Sequence, residues 1–287
     1  MPTLRSLLRQ VPYRPLAGDL DAPVRHIRIH SGEIQPGDLF VAVRGSCNDG
    51  HDYIPEAVRR GAAAVCLQNS DRVEGGTGIA WIEVADSRTA LAALAAAFHG
   101  RPDRKLDLFA VTGTNGKTTT ALVLKSILEA AGRRTGLIGT IAYQIGDERI
   151  GVGLTTPDPL ILHALLARMK ATAVRDVVLE ASSHALDQSR LYGLSFRVAA
   201  FTNLTPEHLD YHGSLEAYFT AKARLFADLG PDSSAVLNHD DPFRPRLAQI
   251  CRAGRVMTYS LRIRARMFMR ALVRTARRFD SRHRGDR

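Results

Sequence analysis

The sequence predicts an α/β protein in two parts: a small N-terminal α/β domain, then a central, mostly parallel α/β domain that carries a P-loop. Three observations lead there. Short apolar runs alternate with helical periods along most of the chain. The segment Thr-Gly-Thr-Asn-Gly-Lys-Thr-Thr at residues 112–119 falls between one such run and one such period. The chain has 287 residues, 45% hydrophobic and 24% charged, which allows about two cores without disulfides and excludes disordered, collagen-like and low-complexity classes.

In order, residues 24–29 and 38–43 read as short strands. Residues 51–60 read as a helix closed by Gly61, and residues 63–67 and 79–84 as two more strands. Ser87 is the expected cap of a helix running to Phe98, with Gly100 just beyond it. The Arg101-Pro102-Asp103 stretch then serves as a linker, so a boundary is expected near residue 102. Residues 106–111 form an apolar strand leading into the Gly-rich turn, followed by a helix over 117–131 closed by Gly132. Further strands are expected at 135–139, 176–180, 197–202 and 235–238, with helices near 158–171 and 215–228. This alternation implies a sheet whose ligands bind beyond the carboxyl ends of its strands.

The net charge of +10 is unevenly spread. Residues 262–287 hold ten Arg and no Lys against Asp280 and Asp286, so +8 belongs to this segment and the folded body is nearly neutral. A nucleic-acid partner is not expected for the body; a polyanion would have to engage the tail. Cys47, Cys66 and Cys251 show no disulfide or zinc spacing, which fits a reducing, cytoplasmic setting. The longest small-apolar run, 90–98, is about half of the roughly 20 residues that span a bilayer, so no membrane partner is expected.

Backbone N–H groups in the 112–119 turn, together with a helix dipole, suit phosphate oxygens. Lys117 would reach the outer phosphates, and the Thr118 hydroxyl would bind Mg²⁺. The strict P-loop spacing requires Gly where Val111 stands, and a plain helix-starting turn is the bland alternative. Glu180 ends an apolar run on the same sheet edge, a natural place for a magnesium ligand. Lys222 interrupts the apolar stripe of Leu215, Tyr218, Phe219, Leu225 and Phe226, so it either snorkels, which helix pattern alone favours, or has a chemical task. A desolvated amine can take up CO₂ as a carbamate and become a metal ligand. His208 and His212 follow the strand ending near Asn203, where a second metal ligand would be useful, although lone histidines are more often structural.

GTNGKTTT at 113–120, LTTPD at 154–158, EASSHALDQSR at 180–190, FTNLTPEHLDYH at 201–212 and YFTAKARLF at 218–226 together resemble the Mur ligase family, over roughly residues 20–261. The branch that adds the third amino acid of the cell-wall stem peptide is the nearest in motif. The resemblance implies a cytoplasmic, monomeric, ATP- and Mg²⁺-dependent amide ligase of peptidoglycan synthesis. It would phosphorylate the γ-carboxylate of UDP-N-acetylmuramoyl-L-alanyl-D-glutamate, and a diamino acid, diaminopimelate by expectation, would attack the acyl phosphate. Gly113, Thr114, Asn115, Gly116, Lys117, Thr118 and Thr119 would bind ATP. Thr118, Glu180, His208 and carbamylated Lys222 would hold metal, with Lys117, Glu180, His208 and Lys222 as the catalytic set. Thr155, Thr156, Ser182, Gln188 and Arg190 would contact the muramoyl peptide. Ile29, Ser31, Ser46, Cys47 and Asn48 would contact the uridine side, although His30-Ser31-Gly32 stands where the family usually has Asp-Ser-Arg.

The implied division is a UDP-sugar-binding domain at 1–102, an incomplete ATP-binding domain at 103–261 and a basic tail at 262–287. The Arg-without-Lys bias of the tail reads as translation in a shifted frame, hence non-native or disordered. A basic amphipathic helix with Ile263, Met267 and Leu272 on one side is the alternative. Family members carry a further C-terminal domain, so this chain is expected to bind nucleotide weakly and form no tripeptide. Remaining alternatives are another Mur or folylpolyglutamate-type ligase, a non-catalytic nucleotide-binding remnant, and a tail-driven polyanion binder.

Overall fold

A computed structural model describes residues 1–45, 48–73, 78–151, 153–260 and 272–273. The first part begins with α1 (Leu4–Leu7), capped by Thr3. It continues through β1 (Arg14–Ala17), β2 (Ile27–Arg28), β3 (Leu39–Val41), α2 (Ile54–Arg59), β4 (Ala64–Leu67), β5 (Ala80–Glu83) and α3 (Ser87–Phe98). Its five strands order as β1-β5-β4-β3-β2, parallel except for β1, which runs antiparallel along β5. Pro15 is tolerated in β1 because an edge strand need not donate on both sides. Apolar residues fill both faces of the sheet: Leu39, Val41, Cys66 and Ile82 on one, Phe40, Val65, Leu67 and Trp81 on the other. Such continuous apolar runs are what a parallel sheet buried on both faces requires.

Two local expectations are corrected. The helix expected over 51–60 is a 3₁₀ turn, Gly50–Tyr53, followed by α2; Asp49 caps the turn at the His51 N–H, and Pro55 opens the helix proper. The cap of α3 is Asp86 rather than Ser87. Its Oδ1 accepts the Arg88 and Thr89 N–H groups at 2.8 and 3.4 Å, while the Ser87 hydroxyl donates to Gln68 Oε1 at 2.7 Å.

The second part runs β6 (Asp107–Thr112), α4 (Lys117–Ala130), β7 (Thr135–Ile138), β8 (Tyr143–Ile145), β9 (Glu148–Ile150), α5 (Pro159–Ala171), β10 (Asp176–Glu180), α6 (Ser183–Asp187), β11 (Phe196–Phe201), α7 (Leu209–His212), α8 (Leu215–Ala227), β12 (Ser234–Asn238), α9 (Arg244–Ile250), β13 (Arg255–Tyr259) and β14 (Leu272–Val273). The strand order is β14-β13-β12-β11-β6-β10-β7-β8-β9. The six strands from β13 to β7 are parallel, with antiparallel strands at both ends. Of the expected tail, only Leu272–Val273 falls among the described residues, paired with Val256 and Arg255.

The chain leaves β6 for β7, returns to β10 between them, then crosses to β11 on the other flank of β6. The carboxyl ends of β10, β6 and β11 therefore adjoin the switch in direction where open α/β sheets hold ligands. Helices α5 and α8 cover one face over a large core that includes Leu162, Leu166, Phe201 and Phe226. Helix α4 covers the other over Val111, Leu137 and Val178. The two parts meet where α5 packs against α3 and Leu160 joins the core of the first sheet.

Candidate nucleotide and substrate site

β6 ends at Thr112 and α4 starts at Lys117, leaving Gly113–Gly116 as the loop between them. Gly113 has φ 149°, and a Cβ there would lie 1.8 Å from Thr202 Oγ1, so only glycine fits. Gly116, at φ 82°, makes the second turn that only glycine takes readily. The loop is clamped from the end of β11. The Thr114 N–H donates to Asn203 O at 2.8 Å and the Asn115 N–H to Asn203 Oδ1 at 3.0 Å. Thr202 Oγ1 and Asn203 Nδ2 both donate to Asn115 O, at 2.7 and 3.1 Å. Thr114 Oγ1 donates to Thr205 O and accepts the Thr205 N–H.

Two lysines converge on one carbonyl. Lys117 Nζ donates to Gly113 O at 3.0 Å and to Thr114 O at 2.7 Å, and Lys222 Nζ donates to Gly113 O at 2.8 Å. Lys222 is 2% exposed and lies 4.5 Å from the Tyr218 ring centroid. Burial, aided by the Lys117 charge, pulls its ammonium down to about 7; burial lowers Lys117 as well. The snorkelling alternative for Lys222 is thereby excluded, because its head group points into the protein.

Glu180, at the end of β10, is 1% exposed. Its Oε2 accepts the Thr118 hydroxyl at 2.8 Å and the Thr140 hydroxyl at 3.3 Å, and its Oε1 accepts the Thr140 N–H at 2.9 Å. Among the described residues no basic side chain forms an ion pair with it. A buried carboxylate beside two hydroxyls, with Lys117 near enough to feel its charge but not paired to it, is an oxygen-only donor set, the kind that a hard divalent cation prefers. No group of three or more His, Cys, Asp or Glu among the described residues forms a ready-made metal cage. That suits Mg²⁺, which usually takes one or two carboxylates and completes its shell with water and phosphate.

The loop residues Thr114 to Thr119, with Thr140, Thr155, Thr156, Ser182, His184, Arg190, His208 and Lys222, line one cleft of about 500 Å³. Thr156 Oγ1 donates to Glu180 O at 2.6 Å and accepts the Ser182 N–H at 3.0 Å, tying the 155–156 turn to the end of β10. Arg190 is held in place by its own donors: Nη1 reaches Thr156 O at 2.7 Å, and Nη2 and Nε reach Gln188 Oε1 at 2.6 and 3.1 Å. His208 sits at φ 54° before α7, with its ring centroid 4.8 Å from that of His184. His212 instead pairs its Nε2 with Ser183 Oγ at 3.0 Å.

Of the first-part candidates among the described residues, Ile29, Ser31 and Asn48 do not line that cleft. Ser31 donates its hydroxyl to Glu56 Oε2 at 2.7 Å, Ile29 packs at the edge of the first core, and Asn48 O accepts the Gly45 N–H at 2.8 Å. Ser46 and Cys47 lie outside the described residues.

Residues 111–283 match the model of the Mur ligase middle domain, and residues 23–99 match that of the Mur ligase family catalytic domain. The chain belongs to the Mur ligase family. This Mur ligase chain is 45% identical over 242 residues to a UDP-N-acetylmuramoyl-L-alanyl-D-glutamate--2,6-diaminopimelate ligase of Chlorobium phaeobacteroides, covering 84% of this chain and 47% of the relative. It is 42% identical over 240 residues to the ligase of the same name from Clostridium perfringens, covering 84% and 49%. The chain thus spans about half the length of the curated relatives it matches. A solved structure of a ligase of that name superposes with a TM-score of 0.71 at 25% identity, covering 91% of this chain and 53% of the other. A D-alanyl-D-alanyl-adding ligase from Acinetobacter baumannii, at 21% identity and TM-score 0.57 over 91% and 54% of the two chains, shows the same fold.

Sequence reasoning did not single out Thr140 and His184, which line the Mur ligase cleft, or Asn203, a residue of the quoted 201–212 motif that clamps its loop. Thr140 and Asn203 act by contacts to residues 40 and 88 positions away, for which no local pattern exists. His184 was within a quoted motif; its place in the first turn of α6, one residue past the end of the 182–183 serine pair, was the available signal.

Proposed function

We propose that this chain carries the nucleotide- and muramoyl-peptide-binding parts of an ATP-dependent amide ligase. The reaction activates the γ-carboxylate of UDP-N-acetylmuramoyl-L-alanyl-D-glutamate as an acyl phosphate and joins it to a diamino acid, diaminopimelate in the reading favoured by the names of its relatives. The observation that carries this reading is the single cleft lined by the 114–119 loop, Lys222, Thr156 and Arg190, with the Thr118 hydroxyl in its wall donating to the buried Glu180. We place the activity in the cytoplasm and assign it to a monomer.

Loop amides of residues 113–119 cradle the triphosphate, and Lys117 exchanges the Gly113 and Thr114 carbonyls for phosphate oxygens. Thr118 and Glu180 would hold one Mg²⁺, with His208 and carbamylated Lys222 available to a second; the metal would neutralise charge on the phosphoryl group in transfer. Lys222 suits carbamylation because its buried amine, near pH 7, spends much of its time neutral. Thr155, Thr156, Ser182 and Gln188 offer hydroxyl and amide partners to the peptide. Arg190, preset by Gln188, presents a planar fork to a carboxylate. Ile29, Ser31 and the 46–48 turn would receive the uridine end.

Titration calorimetry of ATP with Mg²⁺ tests this. The chain should bind ATP, and Lys117→Ala should weaken binding by roughly a hundredfold, the order expected for a lost charge-assisted phosphate contact. Equal affinity in the two proteins would refute the assignment of the loop.

A further inference from the structure

Tyr211 has no part in the function assigned so far. It sits in α7 and does not line the cleft, yet its hydroxyl bridges two side chains at the end of α6. It donates to Asp187 Oδ2 at 3.0 Å and accepts from Gln188 Nε2 at 3.1 Å, while the His184 ring, 4.2 Å away between centroids, backs its own ring. Helix α6 closes in a Schellman turn. The Ser189 N–H donates to Leu186 O at 3.3 Å and the Arg190 N–H to Ala185 O at 2.9 Å, with Ser189 at φ 56°. This left-handed step brings the side chains of Gln188 and Arg190 together, so that Gln188 Oε1 accepts from both Nε and Nη2 of Arg190.

Asp187, Tyr211, Gln188 and Arg190 thus form one hydrogen-bonded chain, whose ends are chemically fixed and whose middle is not. A guanidinium only donates and a carboxylate only accepts, whereas a phenol does both and an amide offers either its oxygen or its NH₂. Once Gln188 faces Arg190 with oxygen, its NH₂ must face Tyr211, the Tyr211 oxygen must accept, and the Tyr211 proton must go to Asp187. Arg224 steadies that acceptor from α8: its Nη1 donates to Asp187 O at 2.9 Å and lies 3.5 Å from Asp187 Oδ1. A reversed Gln188 would set NH₂ against the guanidinium and leave Arg190 with Thr156 O alone.

We propose that Tyr211 is a positioning residue: by donating to Asp187 and accepting from Gln188 it fixes which end of the Gln188 amide meets Arg190, and so aims the Arg190 guanidinium at the muramoyl peptide. This rests on the reading of the substrate given above. Gln188 and Thr156 engage three of the five guanidinium N–H groups, which leaves two for a carboxylate of the peptide.

The test follows the Arg190 Nε–H by NMR in the full chain, its signal identified by its loss in Arg190→Lys, with ATP binding measured in parallel as a check on folding. In Tyr211→Phe this proton should exchange with water roughly tenfold faster or more. The same variant should bind UDP-N-acetylmuramoyl-L-alanyl-D-glutamate about tenfold less tightly and ATP as the native chain does. Adding Gln188→Glu to Tyr211→Phe should restore slow exchange, because a carboxylate has no wrong end to turn toward Arg190; lost packing would not be repaired in this way. Unchanged exchange in Tyr211→Phe overturns the proposal, and so does a double variant that fails to restore it. Faster exchange with undiminished affinity for the dipeptide nucleotide overturns the aim at the peptide. Should Tyr211→Phe lose ATP binding, Asp187→Ala, which keeps the ring but frees the hydroxyl proton, decides on the same signal: faster exchange supports the proposal and unchanged exchange overturns it. Failure of the native chain to bind the dipeptide nucleotide overturns the substrate reading, while the exchange rates still judge the orientation of Arg190.

Discussion

Gly113 concentrates three requirements in one residue: a φ of 149°, a carbonyl shared by two ammonium groups, and an α-carbon against which Thr202 packs. Gly113→Ala is expected to displace Thr202, cost on the order of 2 kcal/mol of stability, and abolish measurable ATP binding; chemical denaturation and calorimetry read the two effects separately. At the proposed metal site, Glu180 allows metal binding to be tested apart from architecture. In Glu180→Gln the side chain keeps its shape and can still accept hydrogen bonds, while its charge is gone. ATP affinity in this variant should no longer respond to added Mg²⁺, and its melting temperature should stay within a few degrees of the native value. A native-like magnesium response in Glu180→Gln would remove Thr118 and Glu180 from the proposed metal site.

Helix α5 buries His163 at 1% exposure, and neither ring nitrogen finds a partner among the described residues. The segment faces α3 and the 3₁₀ turn Pro102–Lys105, and burial, aided by His99 and Arg101, holds the imidazole down at about 4. Between pH 6.5 and 4 the unfolded chain therefore binds the proton that the folded chain refuses. Stability falls across that window as pH drops, by on the order of 3 kcal/mol, and levels off below it. His163→Leu should flatten this part of the stability profile in denaturant titrations; an unchanged slope would show that other groups set it. Elements whose cause is local were legible in the sequence. β10 ends at Glu180 as expected because an apolar run meets a charge, and α4 begins at Lys117 because Gly116 breaks the strand-side geometry. The β8–β9 hairpin was missed although Gly146-Asp147, a two-residue turn with Gly146 at φ 58°, announces it; its strands are only three residues long and carry little periodicity. β1 was missed because Pro15 argues against a strand until the partner that leaves it at an edge is known. The site divides in the same way: the loop, Glu180 and Lys222 stand out by type and position, whereas Thr140 and Asn203 gain their roles only when distant strand ends adjoin.

At the scale of the whole molecule, separate apolar cores underlie the two sheets, joined through α3, α5 and Leu160. ATP with Mg²⁺ should stabilise the second by about 2.7 kcal/mol at a hundredfold excess over Kd, and UDP should act on the first. Scanning calorimetry should then show the higher-numbered half shifting with one ligand and the lower-numbered half with the other. A single transition that both ligands move equally would mean that the junction welds the halves into one cooperative unit. The clamp on Asn115 carries a last consequence. Thr202 and Asn203 grip it from just beyond the tip of β11, and the chain runs on through Thr205 toward His208 and the helix bearing Lys222. A phosphate that reshapes this fist would therefore tug on the segment that leads to His208 and Lys222, the groups proposed to hold metal.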